Sequence, residues 1–508
     1  MGTAPAALTI EWCAANGLMN GIPGDGLVPA CVPAMVGTWA LAVAEFGRLE
    51  FADALVPAME LARDGFPMYE RLHCWLLGER DRIARDYPST APLFFRNGAP
   101  IPVGEPVRNP ALARTFELLI SEGRKGVVRK ERAESAASAF YRGVIADEVC
   151  RFGRENTVID STGTSRHGLL TPDDFADWHA RIEEPVSIEW KGWRVFKCSS
   201  WTQGPVMLQQ LQLLKALGLN GLDHNSAAYT HRVVEASKLA YADREAWYGD
   251  PDFDEVPFDV LLSDDYALER AKLVSECVSL ELRPGSVGGR VPDWAGMCVQ
   301  EANRRAVKRL RNPHNGDTTQ LVAADAEGFV VSATPSGGWI RSSPIVPSVG
   351  FALGTRAQMF YLDPRRPNSL APGKRPRCTL TPSMAVAPDG RVLGFGSPGG
   401  DAQDQTSLQF FLNVAQFGLD IARAAEMPSF YSEHWPDSFW PRKAYPGQGA
   451  MEGRISQQVR DDLAARGHVI RPLGPWGNGS IMCAALNANG LTSAAATPRR
   501  GVACAFGV

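Results

Sequence analysis

Two threonines follow a polar linker in this 508-residue chain. The linker is Arg-Asn-Pro-His-Asn-Gly at 311–316, and Asp317, Thr318 and Thr319 come directly after it. A threonine hydroxyl is a weak nucleophile, but a threonine at the start of a chain has its own α-amine as a base. That amine has an ordinary pKa of about 7.7–8.0, so part of it is neutral near pH 7. Thr318 reaches this state when the bond to Asp317 is cut, so we predict that Thr318 is a nucleophile released by cleavage.

The segments before the linker show the apolar spacing of helices. We predict helices over three of these segments: 40–46, 51–62 and 111–122. Gly-Phe-Pro at 65–67 is a typical helix end, and Thr171 followed by a proline is a typical helix start. The alternating residues at 186–196 predict two strands around a turn. Asn225 is predicted to cap a long helix that runs to about Tyr248.

After the linker the pattern changes to short strands separated by glycine turns. We predict strands over four segments: 320–326, 329–334, 383–387 and 392–396. Glu-Gly at 327–328 and Asp-Gly at 389–390 occupy the positions of hairpin turns. A helix is predicted over 405–417. We therefore expect a helical first part and a strand-rich second part that meet at Thr318.

Several short motifs occur in a recognisable order along the chain. Ala-Thr-Pro-Ser at 333–336 ends the second predicted strand after the linker. Gly-Lys-Arg-Pro at 373–376, Thr-Pro-Ser at 381–383 and Gly-Ser-Pro-Gly-Gly at 396–400 follow. Before the linker, the chain contains Ala-Ser-Lys-Leu-Ala-Tyr-Ala-Asp-Arg at 236–244. Together with the paired threonines, these motifs resemble the γ-glutamyltranspeptidase family over nearly the whole chain.

This resemblance implies a fold and a processing event. The fold would be α+β, an Ntn-hydrolase sandwich of four layers in the order αββα. The chain would cleave itself between Asp317 and Thr318. Cleavage would produce a large-subunit-like region, 1–317, rich in helices, and a small-subunit-like region, 318–508, rich in strands.

The resemblance also implies catalytic roles for individual residues. Thr318 would be the nucleophile, with its freed amine as the base. Ser336 stands where the family has a hydroxyl that hydrogen-bonds the nucleophile. The main-chain N–H groups of Gly399 and Gly400 would form the oxyanion hole, where the backbone must approach the substrate without a Cβ in the way.

Several of the positions that bind substrate in typical family members are changed here. Six residues occupy these positions: Thr334, Gly338, Gln358, Tyr361, Cys378 and Thr379. Tyr361 replaces an Asp that holds the substrate α-ammonium, and Gly338 replaces an Asn. Cys378 and Thr379 replace a pair of serines that bind the α-carboxylate, and Gln320 replaces a His. A phenol cannot supply the charge of an Asp, so the changes favour an acyl group without a free α-amine.

These patterns predict a γ-glutamyltransferase-like enzyme that transfers or hydrolyses an acyl group, γ-glutamyl or related, through an acyl-enzyme at Thr318. One alternative is an amidase, acylase or carbon–carbon hydrolase that acts on a biosynthetic intermediate at the same threonine. A second alternative is an unprocessed relative that only binds a ligand or partner. The expected partners are a small-molecule acyl donor and water or an amine as acceptor. The processed protein would be a heterodimer, and its further dimerisation stays open.

The composition argues against several other classes of protein. Lys and Arg number 52 against 56 Asp and Glu, so the net charge is −4 and there is no basic surplus for nucleic acid. No apolar run is long enough to predict a membrane-spanning helix. The ten cysteines form no C-x-x-C pair, and neither a metal nor an organic cofactor is predicted. The first residues lack the features of a signal peptide, so we expect a cytoplasmic protein.

Overall fold

The structure is a computed structural model that describes residues 1–292, 317–499 and 503–507. The linker at 311–316 lies outside the described residues. None of the described helices is both long enough and apolar enough to cross a membrane. The described helices are α1 (Ile10–Ala15), α2 (Met35–Phe46), α3 (Phe51–Asp64), α4 (Glu70–Asp86), α5 (Ala91–Phe94), α6 (Pro110–Gly123), α7 (Arg129–Tyr141), α8 (Val144–Glu155), α9 (Pro172–Asp177), α10 (Pro205–Leu217), α11 (Ala227–Trp247), α12 (Phe258–Leu261), α13 (Asp264–Ala271), α14 (Trp339–Ser342), α15 (Ala402–Ala415), α16 (Ile421–Glu426) and α17 (Gln457–Ala465).

The helices predicted before the linker are present as α2, α3 and α6, and one predicted cap is wrong. Thr171 starts α9 as predicted, through reciprocal bonds with Asp174. The cap of α11 is Ser226 rather than Asn225, because the Ser226 hydroxyl accepts from the main-chain N–H of Tyr229 at 3.2 Å. Asn225 has a left-handed φ of 55° and donates its side-chain amide to the carbonyl of Pro428 instead. Both residue types are good caps, so local preference alone did not separate them.

The predicted strands are also present, and most of the longer ones join two sheets. The strands are β1 (Phe66–Pro67), β2 (Phe95–Arg96), β3 (Ala99–Pro100), β4 (Pro106–Val107), β5 (Val158–Ile159), β6 (Ser165–Arg166), β7 (Val186–Trp190), β8 (Trp193–Lys197), β9 (Leu321–Ala324), β10 (Val330–Ala333), β11 (Ile345–Val346), β12 (Phe351–Ala352), β13 (Ser383–Val386), β14 (Val392–Gly396), β15 (Phe430–Ser432), β16 (Gln448–Glu452), β17 (Val469–Leu473), β18 (Met482–Leu486) and β19 (Thr492–Ala496).

A six-stranded sheet forms the centre of the fold, in the order β19-β18-β14-β13-β8-β7. All neighbouring strands in it are antiparallel. β7 and β8 precede the linker and the other strands follow it, with Lys197 of β8 opposite Ser383 of β13. Strands from both sides of the predicted boundary at Thr318 therefore join in a single sheet, and both regions of the chain build one core.

The β9–β10 hairpin lies on one face of this sheet, above β14. Gly394 and Gly396 of β14 point toward the hairpin, since alternate residues of a strand face the same side. A Cβ on Gly394 would come within 2.9 Å of Val322 Cγ1 and 3.0 Å of Val330 Cγ1. The absence of side chains on these two glycines thus lets the hairpin approach the sheet closely.

Helices cover the other face of the six-stranded sheet. Phe395, which alternates with the two glycines of β14, packs on Phe410 and Phe411 of α15. α10 and α11 pack beside α15, and these elements share one buried apolar core with the sheet. The helices α2–α8 build a second core. Arg48, between α2 and α3, pairs with Glu327 at the hairpin turn. The layers thus run from helices to sheet to hairpin to helices.

Buried histidines give the fold an expected acid sensitivity. His434 and His468 are buried, and desolvation together with nearby cations, including Lys238, lowers the pKa of each to about 3. In the unfolded chain their pKa returns to about 6.5, so the unfolded state binds more protons as the pH falls below that value. We expect each histidine to remove about 1.4 kcal/mol of stability per pH unit between about 6.5 and 3.

Urea unfolding measured at pH 7.5, 6.0 and 5.0 tests this expectation. The free energy of unfolding should fall below pH 6.5, and His468→Gln should make the decline less steep. His167→Gln, a substitution at an exposed histidine, is the matched control. A free energy of unfolding that stays constant from pH 7.5 to 5.0 would contradict the role of the buried imidazoles.

Candidate active site

Thr318 and Ser336 face each other because of the register of the β9–β10 hairpin. In this hairpin Leu321 pairs with Ala333, and the same register continued beyond both strands places Thr318 opposite Ser336 in an isolated bridge. The two side-chain oxygens lie 2.9 Å apart, which is hydrogen-bond distance. Both residues are half-buried, so the pair combines restricted water access with an open side. The hairpin therefore brings the predicted nucleophile and its predicted partner together.

The peptide bond predicted to be cut is held by the same pair. The Ser336 hydroxyl donates to the main-chain carbonyl oxygen of Asp317. The main-chain N–H of Thr318 donates to Asp317 Oδ1 at 3.1 Å. A third group, Arg356, donates to Ser336 Oγ through Nη2. Both sides of the Asp317–Thr318 bond thus have a fixed hydrogen-bond partner.

Gln320 links the nucleophile strand to its partner and to the central sheet. Its Oε1 accepts from the hydroxyl of Thr334 at 2.5 Å, and its Nε2 donates to Ser332 Oγ at 3.0 Å. A Cβ on Gly396 would lie 2.4 Å from the Gln320 side chain. Thr334, a predicted substrate contact, is thus a buried part of this link, and its hydroxyl is already engaged.

The Gly399–Gly400 loop joins β14 to α15 in a conformation that favours glycine. The φ angles are 136° and 58°, and a Cβ on Gly400 would come within 2.9 Å of the Phe439 ring. The carbonyls of the two glycines accept from the main-chain N–H groups of Ala402 and Gln403 at the start of α15. Their role as an oxyanion hole stays a prediction from sequence.

Four further predicted substrate contacts, besides Thr334, are buried as well. Gln358 donates its amide to the carbonyls of Gly24 and Thr355, each at 3.0 Å. Gly338 has a φ of 90° and starts α14. Cys378 pairs its main chain with Trp201 and Gln203, and Thr379 is fully buried with a hydroxyl that has no partner among the described residues. Their contact with substrate stays a prediction.

Tyr361 belongs to a cluster of buried charges. Its hydroxyl donates to the carboxylate of Glu245. The guanidinium carbons of Arg366 and Arg442 lie over its ring, 4.0 and 3.9 Å from the centroid. Burial raises the pKa of Glu245, but the neighbouring guanidiniums, Arg377 first among them, hold that pKa below its usual range overall. The phenol is therefore fixed by a carboxylate at its hydroxyl and surrounded by cations at its ring.

A comparison with protein families decides the membership of this chain. The family model described as Gamma-glutamyltranspeptidase matches residues 1–506. The chain belongs to the γ-glutamyltranspeptidase family. The prediction of an N-terminal-nucleophile hydrolase that transfers or hydrolyses acyl groups is thereby confirmed at the level of the family.

Curated members of the family have similar but longer chains. The chain is 27% identical over 461 residues to the glutathione hydrolase-like YwrD proenzyme of Bacillus subtilis strain 168, covering 90% of this chain and 76% of that protein. It is 26% identical to the acylase ACY 1 proenzyme of Pseudomonas sp. strain SE83, over 93% of this chain and 74% of that one. It spans 66% of the glutathione hydrolase proenzyme of Escherichia coli K12, at 26% identity over 81% of this chain. The word proenzyme in these names fits a chain that is processed into two subunits.

Solved structures of similar proteins confirm the fold class. The structure of LmbA2991HD matches with a TM-score of 0.88 and 38% identity, over 98% of this chain and 85% of that chain. The cephalosporin acylase from Bacillus halodurans matches with a TM-score of 0.77 and 27% identity, over 98% of this chain and 82% of that chain. The predicted α+β class and the Ntn-hydrolase αββα sandwich are therefore confirmed.

Arg356 is a group contacting this site that the sequence patterns did not indicate. It lies two residues before Gln358, at the start of a short 3-10 turn, Arg356–Met359. No motif, spacing or neighbouring charge in the sequence distinguishes this arginine from the other basic residues. Only the folded chain shows that its guanidinium reaches the Ser336 hydroxyl.

One cluster of possible metal ligands occurs in the described part of the chain, away from Thr318. The donor atoms of His231, Glu235 and His468 all lie within 4.8 Å of one another. His231 Nδ1 is 2.8 Å from His468 Nε2, and the other ring nitrogen of His231 is 2.7 Å from the carbonyl of Ser275. Glu235 is paired with Lys238. Protein groups thus already occupy most of these ligand atoms, and no metal is assigned here.

A cavity of about 400 Å³ lies in the helical bundle between α2 and α7. Gly37, Tyr141 and Trp178 are among its lining residues. None of the predicted site residues of this family member lines it. The predicted nucleophile and its predicted partner meet at the hairpin instead.

Proposed function

We propose that this chain cleaves itself between Asp317 and Thr318 and then uses the freed threonine to hydrolyse or transfer an acyl group. The main support is the 2.9 Å contact between Thr318 Oγ1 and Ser336 Oγ, since Ser336 also binds the carbonyl oxygen of the bond to be cut. One hydroxyl thus contacts both reacting groups of the self-cleavage step.

The proposed reaction uses the same threonine twice. In the first use, Thr318 Oγ1 attacks the carbonyl carbon of Asp317, and water hydrolyses the resulting ester. The new α-amine of Thr318 is then a base beside its own hydroxyl. In the second use, the hydroxyl attacks the substrate carbonyl, and the N–H groups of Gly399 and Gly400 stabilise the oxyanion. Water or an amine releases the acyl group, and the product would be a heterodimer of 1–317 and 318–508.

We further propose that the acyl group carries no free α-ammonium. Tyr361 occupies the position at which the family resemblance places an ammonium-binding Asp. The guanidiniums of Arg366 and Arg442 lie about 4 Å from its ring centroid, and like charges repel an incoming ammonium. The Glu245 carboxylate is already bonded to the Tyr361 hydroxyl and to Arg377, so it is not available as a substitute. An acylase-type substrate therefore fits this position better than a γ-glutamyl compound.

Two matched anilides test this substrate class. γ-Glutamyl-p-nitroanilide and glutaryl-p-nitroanilide differ only by the α-amino group. We expect kcat/KM to be at least about tenfold higher for the glutaryl compound, because an unpaired charge is strongly rejected at a site without its counter-ion. Thr318→Ala should turn over neither compound. A preference for the γ-glutamyl compound would refute the proposed class. If the processed protein cleaves neither anilide, product masses from a panel of ketones will test the carbon–carbon hydrolase.

A further inference from the structure

Arg356 is a buried cation without an obvious structural partner. Arg356 is only 2% exposed. Among residues 1–292 and 317–499, the Asp317 carboxylate acts on this guanidinium electrostatically, and the Arg356 Nε has no hydrogen-bond partner. Its guanidinium carbon lies 5.3 Å from the centroid of the Phe439 ring. Burying a charge costs free energy when no counter-charge is in contact with it, so the burial of Arg356 needs a physical explanation.

Arg356 is not buried in order to hold the backbone of its own turn, Arg356–Met359. The carbonyls of Gln358, Met359 and Phe360 accept from Nη2 of a different arginine, Arg442. Arg356 instead directs its own Nη2 to the Ser336 hydroxyl. The contact that Arg356 makes is therefore with the reacting groups and not with the backbone of its own turn.

The Ser336 hydroxyl has one proton, and this determines the donor and the acceptor in each of its three hydrogen bonds. A guanidinium only donates, so Ser336 Oγ must accept from Arg356. The carbonyl oxygen of Asp317 only accepts, so the single proton of Ser336 points to it. The contact at 2.9 Å with Thr318 can then be made in one way, with the Thr318 hydroxyl donating to Ser336. Arg356 thereby occupies one lone pair of Ser336 and holds the hydroxyl in place, while the Asp317 carbonyl, which takes its single proton, removes the alternative in which Ser336 donates to Thr318.

We propose that Arg356 is a positioning residue for self-cleavage. It orients the Ser336 hydroxyl so that Ser336 takes the proton of Thr318 and gives its own proton to the carbonyl oxygen of Asp317. This inference rests on the proposed function, because it assumes that Thr318 is the nucleophile. It adds a residue, and a direction of proton movement, that neither the family resemblance nor the sequence motifs assigned.

The proposed step is balanced in protons and electrons. The bond between Thr318 Oγ1 and the carbonyl carbon of Asp317 forms, and the π electrons of the carbonyl move to its oxygen. That oxygen takes the proton of Ser336 while Ser336 takes the proton of Thr318. In the collapse the carbonyl re-forms and returns its proton to Ser336, the carbon–nitrogen bond breaks, and the nitrogen takes one proton from Ser336 to become the α-amine. Water then hydrolyses the ester.

The test follows the conversion of purified precursor to two chains by intact mass. We expect Arg356→Met to cleave about 100-fold more slowly than the wild type, in line with the loss of an oriented oxyanion donor. Arg356→Lys keeps the charge but loses the planar donor geometry, and we expect roughly a tenfold decrease. Arg270→Met removes another buried guanidinium, one whose ion pair is with Asp243, and should cleave at the wild-type rate.

Two further measurements separate this role from a structural one. The double variant R356M/S336A should cleave no more slowly than Ser336→Ala, because Arg356 acts through Ser336. Neutral hydroxylamine, which cleaves esters, should not restore the rate of Arg356→Met, because the slow step precedes the ester. Thermal midpoints establish that the variants are folded, and Arg356→Lys provides the test if Arg356→Met does not fold.

Several results would overturn the inference. Arg356→Met or Arg356→Lys cleaving at the wild-type rate would do so while leaving the proposed function intact. The inference would also be overturned, with the proposed function intact, if the effects of Arg356→Met and Ser336→Ala multiply in the double variant. Restoration of cleavage by hydroxylamine would overturn it in the same way. A wild-type chain that never cleaves would overturn both the inference and the proposed function.

Discussion

Thr318→Ala is expected to remain a single chain of 55.1 kDa under denaturing conditions, whereas the wild type is expected to separate into two chains, 1–317 and 318–508. The reason is that alanine lacks the hydroxyl that is proposed to attack the carbonyl of Asp317. Among the described residues, Ser336 is the one other side chain bonded to that carbonyl. The same variant should have no acyl hydrolase activity. Intact mass spectrometry of both purified proteins measures the effect directly.

Thr319→Ala is a matched control for this experiment. Thr319 is exposed, and its main-chain N–H, which the substitution retains, donates to the carbonyl of Pro335 at 3.1 Å. We expect this variant to cleave like the wild type. A wild type that stays uncleaved, or a Thr318→Ala protein that still yields two chains, would show that the nucleophile is misassigned.

Breaking the buried ion pair between Lys197 and Asp404 is expected to have the largest effect on stability. Lys197 Nζ lies 2.9 Å from Asp404 Oδ1, and both side chains are 0% exposed. The ammonium also donates to the carbonyl of Thr381 and the hydroxyl of Ser383, so the pair joins β8, β13 and α15 beneath the glycine loop. Asp404→Ala leaves an unpaired charge in the core, and we expect it to lose about 3–5 kcal/mol of unfolding free energy.

Urea unfolding followed by tryptophan fluorescence measures this loss. The experiment is best made in the Thr318→Ala background, where every protein is a single chain. The double variant K197M/D404L removes both charges and should recover most of the loss. Lys272 and Glu269 form an exposed pair, with side chains 68% and 71% exposed, so Glu269→Ala should lose less than about 1 kcal/mol. Equal losses for Asp404→Ala and Glu269→Ala would contradict the argument from burial.

Local patterns in the sequence determined the hairpin that holds the predicted nucleophile. Thr318 and Ser336 lie equally far along the chain from Glu327 in the predicted turn. The predicted turn and the alternating residues indicate that the two strands pair with each other, whereas the contact between Ser336 and Thr318 was expected only from the family resemblance. The helices α2, α3 and α6 were predictable for a similar reason, since their apolar spacing depends only on near neighbours in the chain.

The tertiary structure decided the contacts between distant segments. Sequence periodicity did not indicate that β8, from the helical first part of the chain, pairs with β13 from the strand-rich second part. It also did not indicate that Tyr361 bonds to Glu245, 116 residues away, or that Arg356 reaches Ser336. Periodicity shows which face of an element is buried, but the partner on that face depends on how the whole core packs. The sequence therefore predicted a nucleophile, Thr318, but it did not indicate the groups that contact its partner Ser336 or the phenol of Tyr361.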